Sequence, residues 1–135
     1  MTYVLDTNAV SALMRGDPPV LARLRAASKR DVLLPQPVLA EITYGIARLP
    51  KSKKRDALRR RLDLIKHELL RADWTDDVSE AFGDIKAQLE KRGARVEDFD
   101  IAIAAHARAR DATLVTSNIG HMTRIPALEV EDWSR

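Results

Sequence analysis

Apolar positions follow two rhythms along this chain, and their alternation sets the expected architecture. Tyr3, Val4 and Leu5 form a short strand-type run that opens onto Asp6-Thr7-Asn8. Val10, Leu13 and Met14 then recur at spacings of three and four, which predicts a helix. Gly16-Asp17-Pro18-Pro19 stops that helix and restarts a second one carrying Val20, Leu21 and Leu24. Residues 31–34 read as a second strand whose exit is bracketed by Pro35 and Pro37, followed by a helix over 38–49 that Pro50 ends. A long helix is expected over 51–70, with Leu58, Leu62, Ile65 and Leu69 on one stripe. Residues 71–75 are ambiguous between an edge strand and a loop. Further helices start at Asp76, capped after its end by Gly93, and near Asp98. Strands at 113–116 and 127–130 close the chain, with a turn at Ser117-Asn118 between them. Short β-type runs alternating with helical patterns predict an α/β fold, with a small, mainly parallel sheet of four to five strands flanked by helices. The helices over 38–49 and 51–70 would form a projecting pair.

Composition narrows the class. With 135 residues, of which 45% are hydrophobic, the chain is expected to be a single globular domain over 1–135. It has no cysteine, which excludes disulfides and thiolate zinc sites. Its first apolar run is too short for a signal peptide and no stretch is long enough to span a bilayer, so the expectation is a cytoplasmic protein with no membrane partner. The net charge is only +3, yet nine basic residues against three acidic ones fall between Lys51 and Arg71. A basic helix on a mildly acidic body suits a polyanion or an acidic protein partner; a solvated helix face is the plainer reading.

The candidate chemistry is acidic. Asp6 follows the first strand, and in open α/β sheets ligands gather at the carboxyl ends of strands. Glu41 lies three residues after Val38 and four before Gly45, bordering the stripe of Val38, Ile42 and Ile46. Asp100 precedes Ile101-Ala102-Ile103-Ala104-Ala105, a run too apolar for a surface helix. Asn118 follows the strand over 113–116. Each has an ordinary alternative: Asp6 as a helix cap, Glu41 as a boundary residue reaching water, Asp100 as a first-turn acid favoured by the helix dipole, Asn118 as a turn residue. Asp98 could cap its helix and leave Asp100 free to point inward. In a parallel sheet, however, all four converge on one edge. Two carboxylates about 4 Å apart repel by roughly 4 kcal/mol at an effective dielectric of 20, so stability alone does not explain such a cluster. A hard divalent cation relieves the repulsion, and an all-oxygen set with open positions suits Mg²⁺ or Mn²⁺ and phosphodiester hydrolysis.

Val4-Leu5-Asp6-Thr7-Asn8, Glu41 in a helix after a proline-bracketed strand, Asp100-Ile101-Ala102-Ile103-Ala104-Ala105 and Leu114-Val115-Thr116-Ser117-Asn118, in this order and spacing, resemble the PIN-domain ribonucleases, and more narrowly the VapC toxins of toxin–antitoxin pairs. The resemblance runs on to Arg124-Ile125-Pro126-Ala127-Leu128 and Trp133. It implies a small parallel sheet between helices, a homodimer, and Mg²⁺- or Mn²⁺-dependent endonucleolytic cleavage of RNA silenced by a cognate antitoxin. Carried over by position, Asp6, Glu41 and Asp100 are the catalytic acids, with Asp6 and Asp100 as metal ligands and Glu41 ligating through water or orienting the nucleophile. Asn8 and Thr116 would orient the carboxylates. Asn118 stands where many PIN domains have a fourth acid, which puts a second tightly held metal in doubt. Lys53, Lys54, Arg59, Arg60 and Arg61 are candidate contacts to RNA or antitoxin.

Two other readings compete. A haloacid-dehalogenase-type phosphohydrolase also begins with an Asp after its first strand, but needs a second Asp where this chain has Asn8. A catalytically inactive PIN-like binding module is favoured only by Asn118. His67, His106 and His121 are scattered; His106 reads as a helix residue and His121 as a loop residue, neither catalytic. Two residues each of Phe, Tyr and Trp give little basis for a base-stacking platform.

Overall fold

The computed structural model describes all of residues 1–135. The element order is β1 (Tyr3–Leu5), α1 (Thr7–Arg15), α2 (Pro18–Ala26), β2 (Val32–Pro35), α3 (Gln36–Ala47), α4 (Lys53–Glu68), β3 (Leu70–Ala72), α5 (Asp76–Lys91), α6 (Asp98–Ala109), β4 (Thr113–Val115), α7 (Ile119–Met122) and β5 (Val130–Glu131). The five strands form one sheet in the order β3-β2-β1-β4-β5, every neighbouring pair parallel. Val4 and Leu5 are consecutive and both fully buried, as are Leu114 and Val115 in β4. Successive strand residues face opposite sides of a sheet, so both faces are covered by helices.

Local chemistry sets the helix ends. Asp6 accepts from the Thr7 backbone N–H at 2.7 Å and so caps α1, while Gly16 takes the left-handed conformation that ends it at φ +73°. Ser52 caps α4 through the Arg55 N–H at 3.1 Å, and Thr75 caps α5 through the Val78 N–H at 3.4 Å. Helix α6 buries every residue from Ile101 to Ala107 and packs on β1, β4, α3 and α5. The pair α3 and α4 packs on α1, with Leu62 fully buried from the otherwise polar α4.

Several boundaries move for identifiable reasons. Asp31 belongs to a 3₁₀ turn over Lys29–Asp31, and β2 runs through Pro35. Helix α3 begins at Gln36, with Pro37 in the first turn, where its missing N–H costs nothing. The ambiguous segment resolves into the edge strand β3 followed by the Thr75 cap. Glu97, and not Asp98, is the residue preceding α6, and Asp98 pairs instead with Lys86 at 3.0 Å. The last strand is Val130–Glu131 because Ala127 sits at φ +56°, outside strand geometry. The single-turn helix α7 occupies what reads in sequence as loop. No helix is long and apolar enough to cross a membrane.

His106 is a fully buried member of α6. The Arg110 guanidinium lies 3.2 Å from its Nδ1, and Trp74 meets the ring edge-on at 5.6 Å. Arg110 can only donate, so the neutral ring carries its proton on Nε2, which has no hydrogen-bond partner. Burial first, and then the adjacent Arg110 charge, lower its pKa from 6.5 to about 4. The unfolded chain therefore takes up a proton that the folded chain refuses. Stability from this group is complete above pH 6.5 and is lost as pH falls from there towards 4. Urea titrations should show a loss on the order of 3 kcal/mol across that window, and His106→Leu should flatten most of it. An equal slope in the variant would place the acid sensitivity elsewhere.

Candidate active site

The chain winds outward from β1 through β2 to β3, then crosses back to place β4 on the other side of β1. The β1–β4 boundary is therefore the switch point where the loops leaving the two strands diverge and open a crevice. Asp6 leaves β1 there and Thr116 leaves β4, with register pairs from Tyr3–Thr113 to Leu5–Val115 and the Asp6 N–H bonded to the Val115 carbonyl at 2.9 Å.

Asp6 is 3% exposed, and its carboxylate is fixed by three donors. These are the Thr7 N–H at 2.7 Å, the Thr116 hydroxyl at 2.7 Å and Asn8 Nδ2 at 3.3 Å. Asn8 is itself anchored, because its Oδ1 accepts from the Ser117 N–H at 3.0 Å. The Thr116 oxygen in turn accepts from the Asn118 N–H at 3.0 Å. Burial raises the Asp6 pKa, and the hydrogen bonds from Thr116, Thr7 and Asn8 offset part of the rise.

Glu41, on the half-buried flank of α3, accepts from the Thr7 hydroxyl at 2.7 Å through Oε1. Asp100, in the first turn of α6, has its pKa raised by burial and then by the negative charge of Asp6, with smaller contributions from Glu41 and Glu97. His121 Nε2 lies 3.4 Å from its Oδ2. Asp6, Glu41, Asp100, Asn8, Thr116 and Asn118 all line one cavity of about 530 Å³. No three acidic or histidine side chains within it close into a single ligand set. The acids face one another while each keeps its own local partner: Glu41 holds Thr7, and Asp100 holds His121.

Two of these partners escaped sequence reasoning. Thr7 lies inside the opening motif, but nothing in the sequence tells that its hydroxyl meets a glutamate thirty-four positions away. His121 read as a loop residue because α7 spans four residues, too few to display a helical period. Asn118 precedes α7, and its side chain caps nothing. The basic residues of α4 do not line the acidic cavity. Lys53, Lys54 and Arg60 are exposed, Arg59 pairs with Asp63 at 3.7 Å, and Arg61 donates to the Met14 carbonyl at 3.1 Å, tying α4 to the end of α1.

Three carboxylates around the switch point of a small parallel sheet define an α/β domain with an acidic catalytic-type cleft. Comparison with known proteins places it more closely. The model of the PIN domain matches residues 3–127. The chain is 34% identical to Ribonuclease VapC2 of Rickettsia felis over the whole of both chains. It is 30% identical to the tRNA(fMet)-specific endonuclease VapC of Shigella flexneri over 99% of each. Among solved structures, the complex of VapBC2 from Rickettsia felis bound to a DNA fragment from its promoter contains a chain that superimposes with a TM-score of 0.89 at 32% identity, covering 98% of this chain and 99% of that one. The chain belongs to the PIN domain family, within its VapC branch.

A carboxyl whose folded pKa is raised adds stability only in acid and loses it as pH rises through that pKa. At neutral pH, well above the ordinary carboxylate range, Asp100 therefore opposes folding. In metal-free buffer Asp100→Asn should raise the melting temperature by a few degrees at pH 7, and the gain should vanish in acid, where the native carboxyl is protonated. A lower melting temperature at pH 7 would mean that the His121 contact outweighs the repulsion.

Proposed function

We propose that this chain is the toxin of a toxin–antitoxin pair, a Mg²⁺- or Mn²⁺-dependent endoribonuclease that hydrolyses RNA phosphodiester bonds and is silenced by its cognate antitoxin. The observation that carries this reading is the convergence of Asp6, Glu41 and Asp100, from β1, α3 and α6, on one cavity at the switch point. The names of the relatives as ribonucleases, and the VapBC complexes among the solved structures, support both the activity and the partner.

The donor set is entirely oxygen, and burial followed by the Asp6 charge raises the Asp100 pKa with only His121 acting against them, so the residues fit a hard cation. Asp6 and Asp100 would hold it. When bound, such an ion neutralises charge on the phosphate and makes hydroxide accessible near neutral pH. The chain's own groups do the rest. Thr116, Asn8 and the Thr7 N–H hold Asp6 in a single rotamer. The Thr7 hydroxyl engages Glu41 Oε1 and leaves Oε2 to take the proton of an attacking water. Asn118, whose amide can donate, lines the cavity beside them. The exposed Lys53, Lys54, Arg59 and Arg60 would then contact RNA phosphates or the antitoxin outside the cleft.

Defined RNAs should be cut by the purified chain with Mn²⁺ or Mg²⁺ and left intact with EDTA or by Asp6→Ala. Metal should also raise stability by about 2.7 kcal/mol at a hundredfold excess over its dissociation constant. Cutting that persists in the variant would expose a contaminant. No cutting by an antitoxin-free wild type, with a melting temperature unmoved by metal, would instead make the chain a binding module.

A homodimer is part of the same proposal, and an apolar face supports it. Trp74 and Phe99 are 47% and 48% exposed, and with Phe82, Pro37 and Ala40 they bound an apolar hollow. Large exposed aromatics grouped in this way mark association surfaces. Sedimentation should give a dimer for the wild type and a monomer for Trp74→Lys/Phe99→Lys; an unchanged mass would move the interface elsewhere.

A further inference from the structure

Arg15 is the last residue of α1, and its position singles it out among the chain's cations. The cavity that holds Asp6, Glu41 and Asp100 is also lined by Asp17 and Asp132, and Arg15 is the single basic side chain in its wall. Arg15 also borders two neighbouring apolar grooves, one running past Arg61 and Leu64 and the other past Glu41 and Ile46. Its guanidinium therefore stands where the acidic cleft opens towards the basic helix α4.

The ordinary role for an arginine at this position is to satisfy the negative end of a helix. Here that role is filled by other groups. Arg61 donates to the Met14 carbonyl, the Gly16 N–H bonds to the Leu13 carbonyl at 3.0 Å, and the Asp17 N–H bonds to the Ala12 carbonyl at 3.0 Å. Arg15 enters none of the chain's side-chain hydrogen bonds or ion pairs, although Asp17 and Asp132 line the same cavity. An exposed guanidinium with its donor fork unused, beside a cleft otherwise made of acids, lacks an anion of matching geometry.

We infer that Arg15 binds a backbone phosphate of the RNA strand next to the one being cleaved, and so sets the register in which the strand enters the cleft. This assignment rests on the ribonuclease reading above. The physical need for it is direct. Asp17 and Asp132 share the cavity wall with Arg15 and add to the repulsion a polyanion meets there. A planar fork that takes a phosphate bidentately both offsets that repulsion and fixes the strand's position. Arg15 is a substrate-binding residue and acts through no other group.

The test uses a labelled single-stranded RNA oligonucleotide and antitoxin-free protein. Binding is followed by fluorescence anisotropy in an Asp6→Ala background, which keeps the RNA intact, and cleavage is followed in the otherwise native chain. Arg15→Gln should weaken binding about tenfold, as expected for the loss of one charge-assisted bidentate contact. The slope of log affinity against log salt should fall by about 0.7, the value for one phosphate on a single strand. In cleavage, the loss should lie mainly in KM, with kcat falling by much less. Arg15→Lys should recover the salt slope but only part of the affinity, because it restores the charge without the fork. Unchanged affinity and slope in Arg15→Gln, beside a wild type that cuts RNA, would overturn the role of Arg15 alone. The same result with weakened antitoxin binding would assign the guanidinium to a protein carboxylate. A wild type that neither binds nor cuts the RNA would overturn the ribonuclease reading and this inference with it.

Discussion

The hydrogen bond from the Thr116 hydroxyl to Asp6, 2.7 Å long, is the interaction on which the rest of the site depends. It joins the ends of β1 and β4 across the switch point, and it orients a carboxylate that is 3% exposed. A charge so far from water is costly unless its lone pairs are filled. Asp6 fills three of its roughly four lone-pair sites, with a backbone N–H that also starts α1, an amide from the first turn of that helix and a hydroxyl just past the end of β4. The cap that the sequence leaves open for Asp6 is realised, and the same side chain lines the acidic cavity.

The remaining acids are placed by packing more than by polar bonds. Helix α6 is buried along Ile101 to Ala107 between the sheet and α5, which leaves its first turn at the rim of the β1–β4 crevice and brings Asp100 there with it. Helix α3 is buried through Val38, Ile42 and Ile46, so that Glu41 lies on the flank facing α1 and meets Thr7. In both cases an apolar stripe fixes the rotation of a helix and a neighbouring acid is carried into place. The Asp100 pKa rises because its carboxyl is drawn away from water and then set near Asp6, and burial of the surrounding apolar stripes offsets that cost.

Those same stripes explain what was legible in the sequence. Val4-Leu5, the run from Ile101 to Ala105 and Leu114-Val115 have unmistakable periods or lengths, and the acids adjoining them could be located before any coordinates. What stayed hidden lacks a period. Helix α7 has four residues, so the contact of His121 with Asp100 could not be anticipated. The final strand was displaced by Ala127, whose left-handed backbone carries no signature in an apolar stretch. The basic run of α4 was visible as charge, but not its division of labour: Arg61 is spent on the Met14 carbonyl, Arg59 is paired with Asp63, and the others face solvent. Charge can be counted from a sequence, whereas the partner of each charge depends on tertiary placement.

That division separates attraction from chemistry. The cations of α4 lie outside the acidic cavity, so a polyanion drawn to the basic helix does not thereby reach the carboxylates. Between the two zones the wall passes through the end of α1, where Arg61 anchors the backbone and Arg15 is left unpaired. A strand that crosses from basic to acidic surface leaves the side-chain cations of α4 behind along the way. A surface that changes sign so abruptly favours one direction and one register of entry, because any other arrangement sets phosphates against bare carboxylates. Selectivity for a bound strand can therefore arise from the placement of charge around the cleft, because Trp133, the one aromatic in its wall, is 2% exposed and offers no open face for stacking.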